Sequence, residues 1–192
     1  MLFTRARTTR LENNNITLLS SCGSSIERVS EYKYLGIWLD DKLSLKFHID
    51  NLVTKLRQKI GFLYRNKSCF PASCKKTIIE ATFLAILDCG DIIYRFAAPS
   101  TLKHLDTVYH SALRWVTGDS YGTHHCTLYE NAGLSSLSER RDKHWFMFIF
   151  KAISGMLPSY ICSMLVQNPS HYQTRSSDFL TLKVPFASSE LL

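Results

Sequence analysis

The spacing of hydrophobic residues changes near residue 44, and this change most constrains what the chain can fold into. Before it lie four short β-rich runs separated by turn-forming residues: MLFT, ITLL, IERV and YKYLGIWL. After it, apolar residues recur at steps of three and four, as on one face of an α-helix: Ile49, Leu52, Val53, Leu56, Ile60 and Leu63. The sequence therefore predicts an α+β fold, mainly α, with a small antiparallel sheet before a set of helices.

Capping and stop signals mark where the later helices begin and end. Ser44 can cap the first helix, and a glycine that follows a periodic run is a common helix stop. Ser136 and Glu139 match a capping box, in which each residue bonds the backbone N–H of the other. These signals predict helices over about 44–63, 73–87, 99–117 and 137–153, and a short helix after Pro158.

The formal net charge of the 192-residue chain is +7, and one segment accounts for the excess. Residues 42–76 hold nine lysines or arginines against a single carboxylate. In helical projection Lys55 and Lys59 lie on one flank of the apolar stripe, and Lys46 and Arg57 lie on the other. Such a surface can follow a sugar–phosphate backbone, but a run of charges is also commonly a solvated face. The residues alone leave both interpretations open.

Adjacent carboxylates, Asp40 and Asp41, follow the apolar run YKYLGIWL and raise the question of a metal site. A two-metal polymerase site needs a carboxylate pair and further carboxylates from a separate strand. The upstream candidates lie outside any apolar strand: Glu12, Glu27 and Glu31. Aspartate favours turns through bonds to its own backbone, so the pair is interpreted as a turn.

The residues before this pair carry a resemblance to a known family. YKYLGIWLD, followed by a basic amphipathic helix, resembles the segment after the catalytic palm of non-LTR retrotransposon (LINE-type) reverse transcriptases. Other stretches resemble the same family in the same order: MLFTRAR, ATFLAILDCGDIIY, LDTVYHSALRWVTG, THHCTLYENAGLSSLSERRDKHWFMFIFKAISGMLPSY and TRSSDFLTLKVP. The likeness covers nearly all of the chain and is closest to elements abundant in fish genomes.

The resemblance implies a division of the chain and a set of binding residues. The Lys-Tyr-Leu-Gly pattern matches the primer grip, a hairpin that holds the growing 3′ end of the primer. The implied segments are palm-end strands with this hairpin (1–43), a three-helix thumb (44–118), a helical C-terminal extension (119–167) and a mostly irregular tail (168–192). The implied contacts to an RNA/DNA duplex or template–primer are Lys33, Tyr34, Gly36, Lys46, Lys55, Arg57 and Lys59.

The resemblance also implies that the chain is no enzyme by itself. In the family the catalytic aspartate pair lies upstream of the primer grip, whereas Asp40 and Asp41 lie downstream of it. We therefore expect a truncated fragment that binds nucleic acid without catalysis, from a decayed genomic copy opened at an internal methionine and closed by a chance stop. The alternative is a helical interaction protein, or an inert product, whose basic face contacts nothing specific.

Cysteine and histidine usage points away from a metal site. Six cysteines without a secretory signal are typical of reduced thiols in the nucleus or cytoplasm, and we expect most of them in the core. His124 and His125 are interpreted as loop residues, with Cys126 entering the core. Cys69 and Cys74 have no second spaced pair that would complete four zinc ligands, so no metal and no cofactor are expected.

The longest apolar run, Trp145–Phe150, has six residues, far fewer than the roughly twenty that span a bilayer. No membrane segment and no membrane partner are therefore expected. Aromatic residues surround this helix too completely for one stripe, which predicts a buried helix or one that meets a missing partner. The strands at 1–40 would leave an uncovered edge, so self-association is expected.

Overall fold

The computed structural model describes residues 18–26 and 29–165. The strands are β1 (Leu18–Leu19), β2 (Ser25–Ile26), β3 (Glu31–Tyr34) and β4 (Ile37–Asp40). The helices are α1 (Lys46–Arg65), α2 (Ala72–Ile79), α3 (Ala85–Asp88), α4 (Asp91–Tyr94), α5 (Pro99–Thr117), α6 (His125–Ala132), α7 (Leu137–Ile153) and α8 (Ser159–Cys162). A 3₁₀ turn covers Lys67–Cys69, and a π-helical turn, Glu80–Leu84, joins α2 to α3. The predicted class, α+β and mainly α, is confirmed.

The run YKYLGIWL forms a hairpin, so the single strand predicted from the residue pattern is wrong. β3 and β4 pair antiparallel, with Tyr34 opposite Ile37 at the turn. Both turn residues have positive φ, 47° at Leu35 and 90° at Gly36, as a two-residue hairpin turn with the right twist requires. Gly36 accepts this conformation at no steric cost, which a run of β-forming residues does not reveal.

The other predicted strands are only partly described. β1 and β2 form a second, separate two-stranded antiparallel sheet. The predicted strand MLFT and parts of ITLL and IERV lie outside the described residues.

Three longer helical segments lie between the hairpin and Gly118: α1, the continuous segment from α2 through the π turn to α3, and α5. Bonds between them fix their directions. The indole Nε1 of Trp115 on α5 donates to the carbonyl oxygen of Leu63 near the end of α1, at 2.9 Å. His104 near the start of α5 lies 3.9 Å from Asp50 near the start of α1. α1 and α5 therefore run parallel, and the segment between them returns in the opposite direction.

The apolar stripe predicted on α1 is buried. Its six residues are at most 7% exposed: Ile49, Leu52, Val53, Leu56, Ile60 and Leu63. The same core includes Ile37 from the hairpin, Phe83 from the π turn, Trp115 from α5 and Leu128 from α6. Burying a side chain of this size contributes about 1.5–3 kcal/mol, so this shared core holds the hairpin against the helices.

The predicted ends of α5 and the predicted start of α7 are confirmed, but the prediction that Ser44 caps the first helix is wrong, because Leu45 is the N-cap residue of α1 and makes no side-chain capping bond. The Ser136 hydroxyl accepts the Glu139 N–H at 3.2 Å, and the Glu139 carboxylate accepts the Ser136 N–H at 3.3 Å. This reciprocal pair opens α7, as the capping box predicted. α5 begins at Pro99 and stops at Gly118, which has a φ of 81°.

Two expectations about cysteine and histidine residues are wrong. Five cysteines are exposed and Cys162 is half-buried, so none of the six lies in the core. His125 begins a helix, α6, rather than lying in a loop, and Cys126 on that helix is exposed. Leu128 and Ala132, one turn apart, take the core positions of α6 instead, which leaves Cys126 on the solvent side.

The chain divides into two compact units, one up to Arg141 and one from Asp142 onward. In the second unit Phe146 is 69% exposed and Phe150 is 64% exposed, so the prediction of a buried helix is wrong for these side chains. That the aromatic helix meets a missing partner stays a prediction. The segment boundaries at residues 43, 118 and 167 also stay predictions. The tail over 168–192 lies outside the described residues. None of the helices in the described ranges has both the length and the apolar character of a membrane span.

Candidate nucleic-acid interface

A cleft of about 400 Å³ lies between the hairpin, the first half of α1 and the α3 segment. Its lining combines two lysines, an asparagine and a histidine with apolar side chains. The lining residues are Lys33, Gly36, Trp38, His48, Asn51, Leu52, Lys55, Ala85, Ile86 and Cys89. The cleft brings together three of the seven predicted binding residues from two elements.

Gly90 sets how closely the hairpin approaches the helices. A Cβ atom built at Gly90 would lie 2.7 Å from the Cδ1 atom of Ile37, closer than such atoms pack. A larger residue at this position would force the Ile37 side chain to shift, and the φ of 77° also favours glycine. This contact places the hairpin beside the end of α3. The hairpin and the α3 segment both line the cleft.

Asp40 joins the hairpin to the start of α1. Its carboxylate accepts the backbone N–H groups of Ser44 at 3.1 Å and Leu45 at 2.9 Å. Partial burial raises the pKa of Asp40, but these hydrogen bonds outweigh it and hold the pKa below its usual value. Asp41 begins the turn that follows the strand. The interpretation as a turn is confirmed for Asp41, whereas Asp40 ends β4 and its side chain has a structural role at the start of α1.

Lys33 is held against one wall of the cleft by its neighbour across the hairpin. It lies directly opposite Trp38 in the register, and its Nζ lies 5.7 Å from the centre of the indole ring. Trp38 in turn meets Phe47 edge to face, with ring centres 5.2 Å apart. A cation above an indole face is attracted by the ring and is restrained without being neutralised. The charge of Lys33 therefore stays available to an anion in the cleft.

His48 was not predicted as a site residue, yet it lines the cleft. It is 7% exposed, and its Nδ1 accepts the backbone N–H of Trp38 at 3.4 Å. Burial lowers the pKa of His48, so the ring is neutral near pH 7 and carries its proton on Nε2. Its place beside Ile49 in the periodic run was the only sequence signal of its burial. His48 joins the hairpin to α1.

Lys55 supplies the second charge of the cleft. It is exposed and lies one turn after Asn51, whose side-chain amide donates to the Phe47 carbonyl at 2.8 Å. Lys33 and Lys55 are 22 residues apart in the sequence, but both line the same cleft. Gly36 lies at its rim with nothing within 4 Å of the position a Cβ would occupy. The described part of the chain thus leaves open space beside this glycine.

The structure places three other predicted residues away from the cleft. The Lys59 ammonium donates to the Thr82 carbonyl at 3.3 Å in the π-helical turn, and its side chain is half-buried. Arg57 is exposed, but two residues beyond Lys55 it points about 200° around the helix axis from it. Tyr34 is 59% exposed and follows Lys33 in the strand, so it faces the other side of the hairpin.

Lys46 lies in a second cleft, of about 340 Å³, with an acidic lining. The charged side chains there are Glu31, Asp40, Asp41 and Asp50 against Lys42 and Lys46. Four carboxylates against two ammonium groups disfavour a phosphate at this position. The two sides of α1 therefore differ in charge, and the side with Lys33 and Lys55 suits a polyanion.

Comparison with curated proteins finds relatives among polymerases of mobile elements in Drosophila melanogaster. The chain is 27% identical over 115 residues to a probable RNA-directed DNA polymerase from transposon X-element. It is 31% identical over 99 residues to the RNA-directed DNA polymerase from mobile element jockey, and 25% identical over 125 residues to a probable one from transposon BS. These similarities support the resemblance to retrotransposon reverse transcriptases.

The matches cover a large part of this chain but a small part of each relative. They span 58%, 50% and 64% of the chain, but only 13%, 11% and 14% of the three polymerases in the same order. No protein-family model and no solved structure matches the chain. The special likeness to elements of fish genomes stays a prediction.

Proposed function

We propose that this chain corresponds to the primer-grip and thumb segment of a mobile-element reverse transcriptase and binds a template–primer duplex without catalysis. Its partner is then the sugar–phosphate backbone of an RNA–DNA or DNA duplex. The partial similarity to RNA-directed DNA polymerases supports the origin of the segment. The arrangement of charges around α1 supports the binding.

The observation that carries the proposal is the cleft that both Lys33 and Lys55 line. Among the residues that the structure describes, neither ammonium group has a carboxylate partner, and two such groups on one surface can contact successive phosphates of one strand. The Asn51 amide, the group in the cleft best suited to reading a base edge, is engaged by the Phe47 carbonyl. Contacts of this kind position a duplex and carry little sequence information.

The unmodified chain is expected to bind an RNA–DNA duplex with an affinity that falls steeply with salt. Each neutralised phosphate contributes about 0.9 to the slope of log affinity against log salt concentration. Fluorescence anisotropy with labelled duplexes of three unrelated sequences, over a series of salt concentrations, measures both slope and preference. Affinity that does not change with salt, or that differs strongly among the three sequences, would contradict backbone binding.

The chain is expected to lack polymerase activity. Asp40 already accepts two backbone N–H groups at the start of α1, so its carboxylate serves the fold rather than a metal ion. Primer extension with magnesium and with manganese, beside an active reverse transcriptase as positive control, measures this. Extension that survives repurification and disappears in Asp40→Asn would overturn the proposal.

A second candidate is a helical interaction protein whose basic face is merely solvated. The exposed aromatic residues Phe146 and Phe150 favour it, because large apolar side chains exposed together often mark a binding surface. This candidate predicts that replacing Lys33 and Lys55 by glutamate leaves any duplex binding unchanged. Self-association through uncovered strands and a nuclear or cytoplasmic location are further proposals.

A further inference from the structure

Three consecutive residues at the start of α6, His124, His125 and Cys126, bring metal-binding atoms together on the surface. One ligand atom from each lies within 4.8 Å of the other two. All three side chains are exposed, so an ion can reach them without opening the core. Imidazole nitrogen and cysteine sulfur are the ligands that zinc and related ions prefer.

The surroundings hold the two imidazole rings in place. His125 stacks on His110 of α5, with ring centres 5.8 Å apart and planes at 17°. The Nε2 atom of His110 lies 2.7 Å from the hydroxyl of Tyr129, which is one turn after His125 on α6. The ring of His124 lies 4.0 Å from that of His125. Restrained rings lose less freedom when they bind an ion, which favours binding.

His124 also presents an unprotonated ring nitrogen. Its Nδ1 accepts the backbone N–H of Cys126 at 3.4 Å, so a lone pair and not a proton occupies that atom. This hydrogen bond is long and exposed, and coordination to an ion can replace it at little cost. This lone pair is a donor position that a metal ion can take over.

The sequence led us to expect no metal because the cysteines lack a second spaced pair. That argument concerns a closed site with four protein ligands. The structure shows a different arrangement, in which three neighbouring exposed residues bring one ligand atom each within 4.8 Å of the others. Three protein ligands with an open fourth position are a common coordination set for zinc.

We propose that His124, His125 and Cys126 bind one divalent ion of the zinc class, with water or an outside ligand as the fourth ligand. The imidazoles bind as neutral rings and the cysteine binds as thiolate, releasing its proton to solvent. The site lies at the start of α6, beside His110 of α5, and it is independent of the proposed binding of nucleic acid at α1.

Cobalt is the probe that tests this proposal, because a cobalt–thiolate bond gives a charge-transfer absorption band that a histidine-only site lacks. Metal-free, reduced protein is titrated with cobalt and then with zinc, which should displace cobalt and remove the band. We expect a stoichiometry of about one ion per chain for the three-ligand site. Absence of a thiolate band, or weak binding of several ions with no end point, would overturn the proposal.

Substitutions locate the ion. Cys126→Ser should abolish the thiolate band and weaken zinc binding by roughly 100-fold or more, since losing even an outer partner of a ligand costs about 10–100-fold. His124→Asn should weaken binding while keeping a side chain that can cap α6. Cys69→Ser and His104→Ala are the matched controls, because both residues are exposed and lie elsewhere. Equal losses in the controls and in Cys126→Ser would rule the site out.

Discussion

Replacing Lys33 and Lys55 together by glutamate is expected to remove most of the salt-dependent affinity for an RNA–DNA duplex. The two side chains line one cleft, and their loss removes about two phosphate contacts. The slope of log affinity against log salt should fall by roughly 2, and the reversed charges should repel the remaining phosphates. Lys55 is exposed, and Lys33 lies over Trp38 at the surface, so the core is spared. Anisotropy titrations at several salt concentrations measure the change.

The chain offers a closely matched control for this variant. Replacing Lys46 and Arg57 by glutamate makes the same change in net charge on α1, the helix that carries Lys55, but away from the cleft. Both are exposed, and Lys46 already lies among carboxylates. This variant should keep most of the slope and affinity. Equal weakening in both double variants, with unchanged circular dichroism, would mean that net charge rather than the cleft holds the duplex.

Local signals in the sequence predicted the main helices because each signal acts within a few residues. The apolar stripe from Ile49 to Leu63 predicted which face of α1 is buried, and these residues lie in the core. The capping box at Ser136 and Glu139 set the start of α7 through two hydrogen bonds between residues three apart. Interactions of this range can be read from the order of residues alone.

The cleft depended on contacts between distant residues and could not be predicted in this way. The sequence placed Lys55 and Lys59 on one flank of α1 as equivalent charges. The structure separates them, because the Thr82 carbonyl in the π-helical turn accepts a bond from Lys59 while Lys55 faces the cleft. Which carbonyl would be within reach of Lys59 depends on how two helices pack.

The cysteines show the limit of arguments from residue type. Cysteine is among the residues most often buried in proteins, which is why most of the six were expected in the core. Their actual exposure depends on the helix face that each one occupies. On α6 Leu128 and Ala132 turn inward, and Cys126, two residues before Leu128, lies on the opposite face and is exposed. Without a long periodic run, the inward face of so short a helix was not evident from sequence.

Replacing Trp115 is expected to have the largest effect on the stability of the unit that extends to Arg141. Its side chain is fully buried, and Phe70 packs edge to face against it at 5.8 Å between ring centres. Its indole N–H also satisfies the Leu63 carbonyl. That carbonyl is among the last four of α1, which have no partner within the helix. Trp115 therefore fills the core and also completes the end of the helix that carries Lys55.

Two substitutions separate these roles when the free energy of unfolding is measured with urea. Trp115→Ala should cost about 3–5 kcal/mol through the cavity it leaves. Trp115→Phe keeps much of the volume but leaves the Leu63 carbonyl unpaired, which should cost about 1–3 kcal/mol. Phe62→Ala, at a side chain that is 53% exposed on α1, is the control and should cost less than either.

Because the folded Trp115→Phe variant keeps Lys33 and Lys55 in place, it should bind the duplex with the parent salt slope. A loss of slope at temperatures where this variant is still folded would show that binding depends on the far end of α1 and not on the cleft.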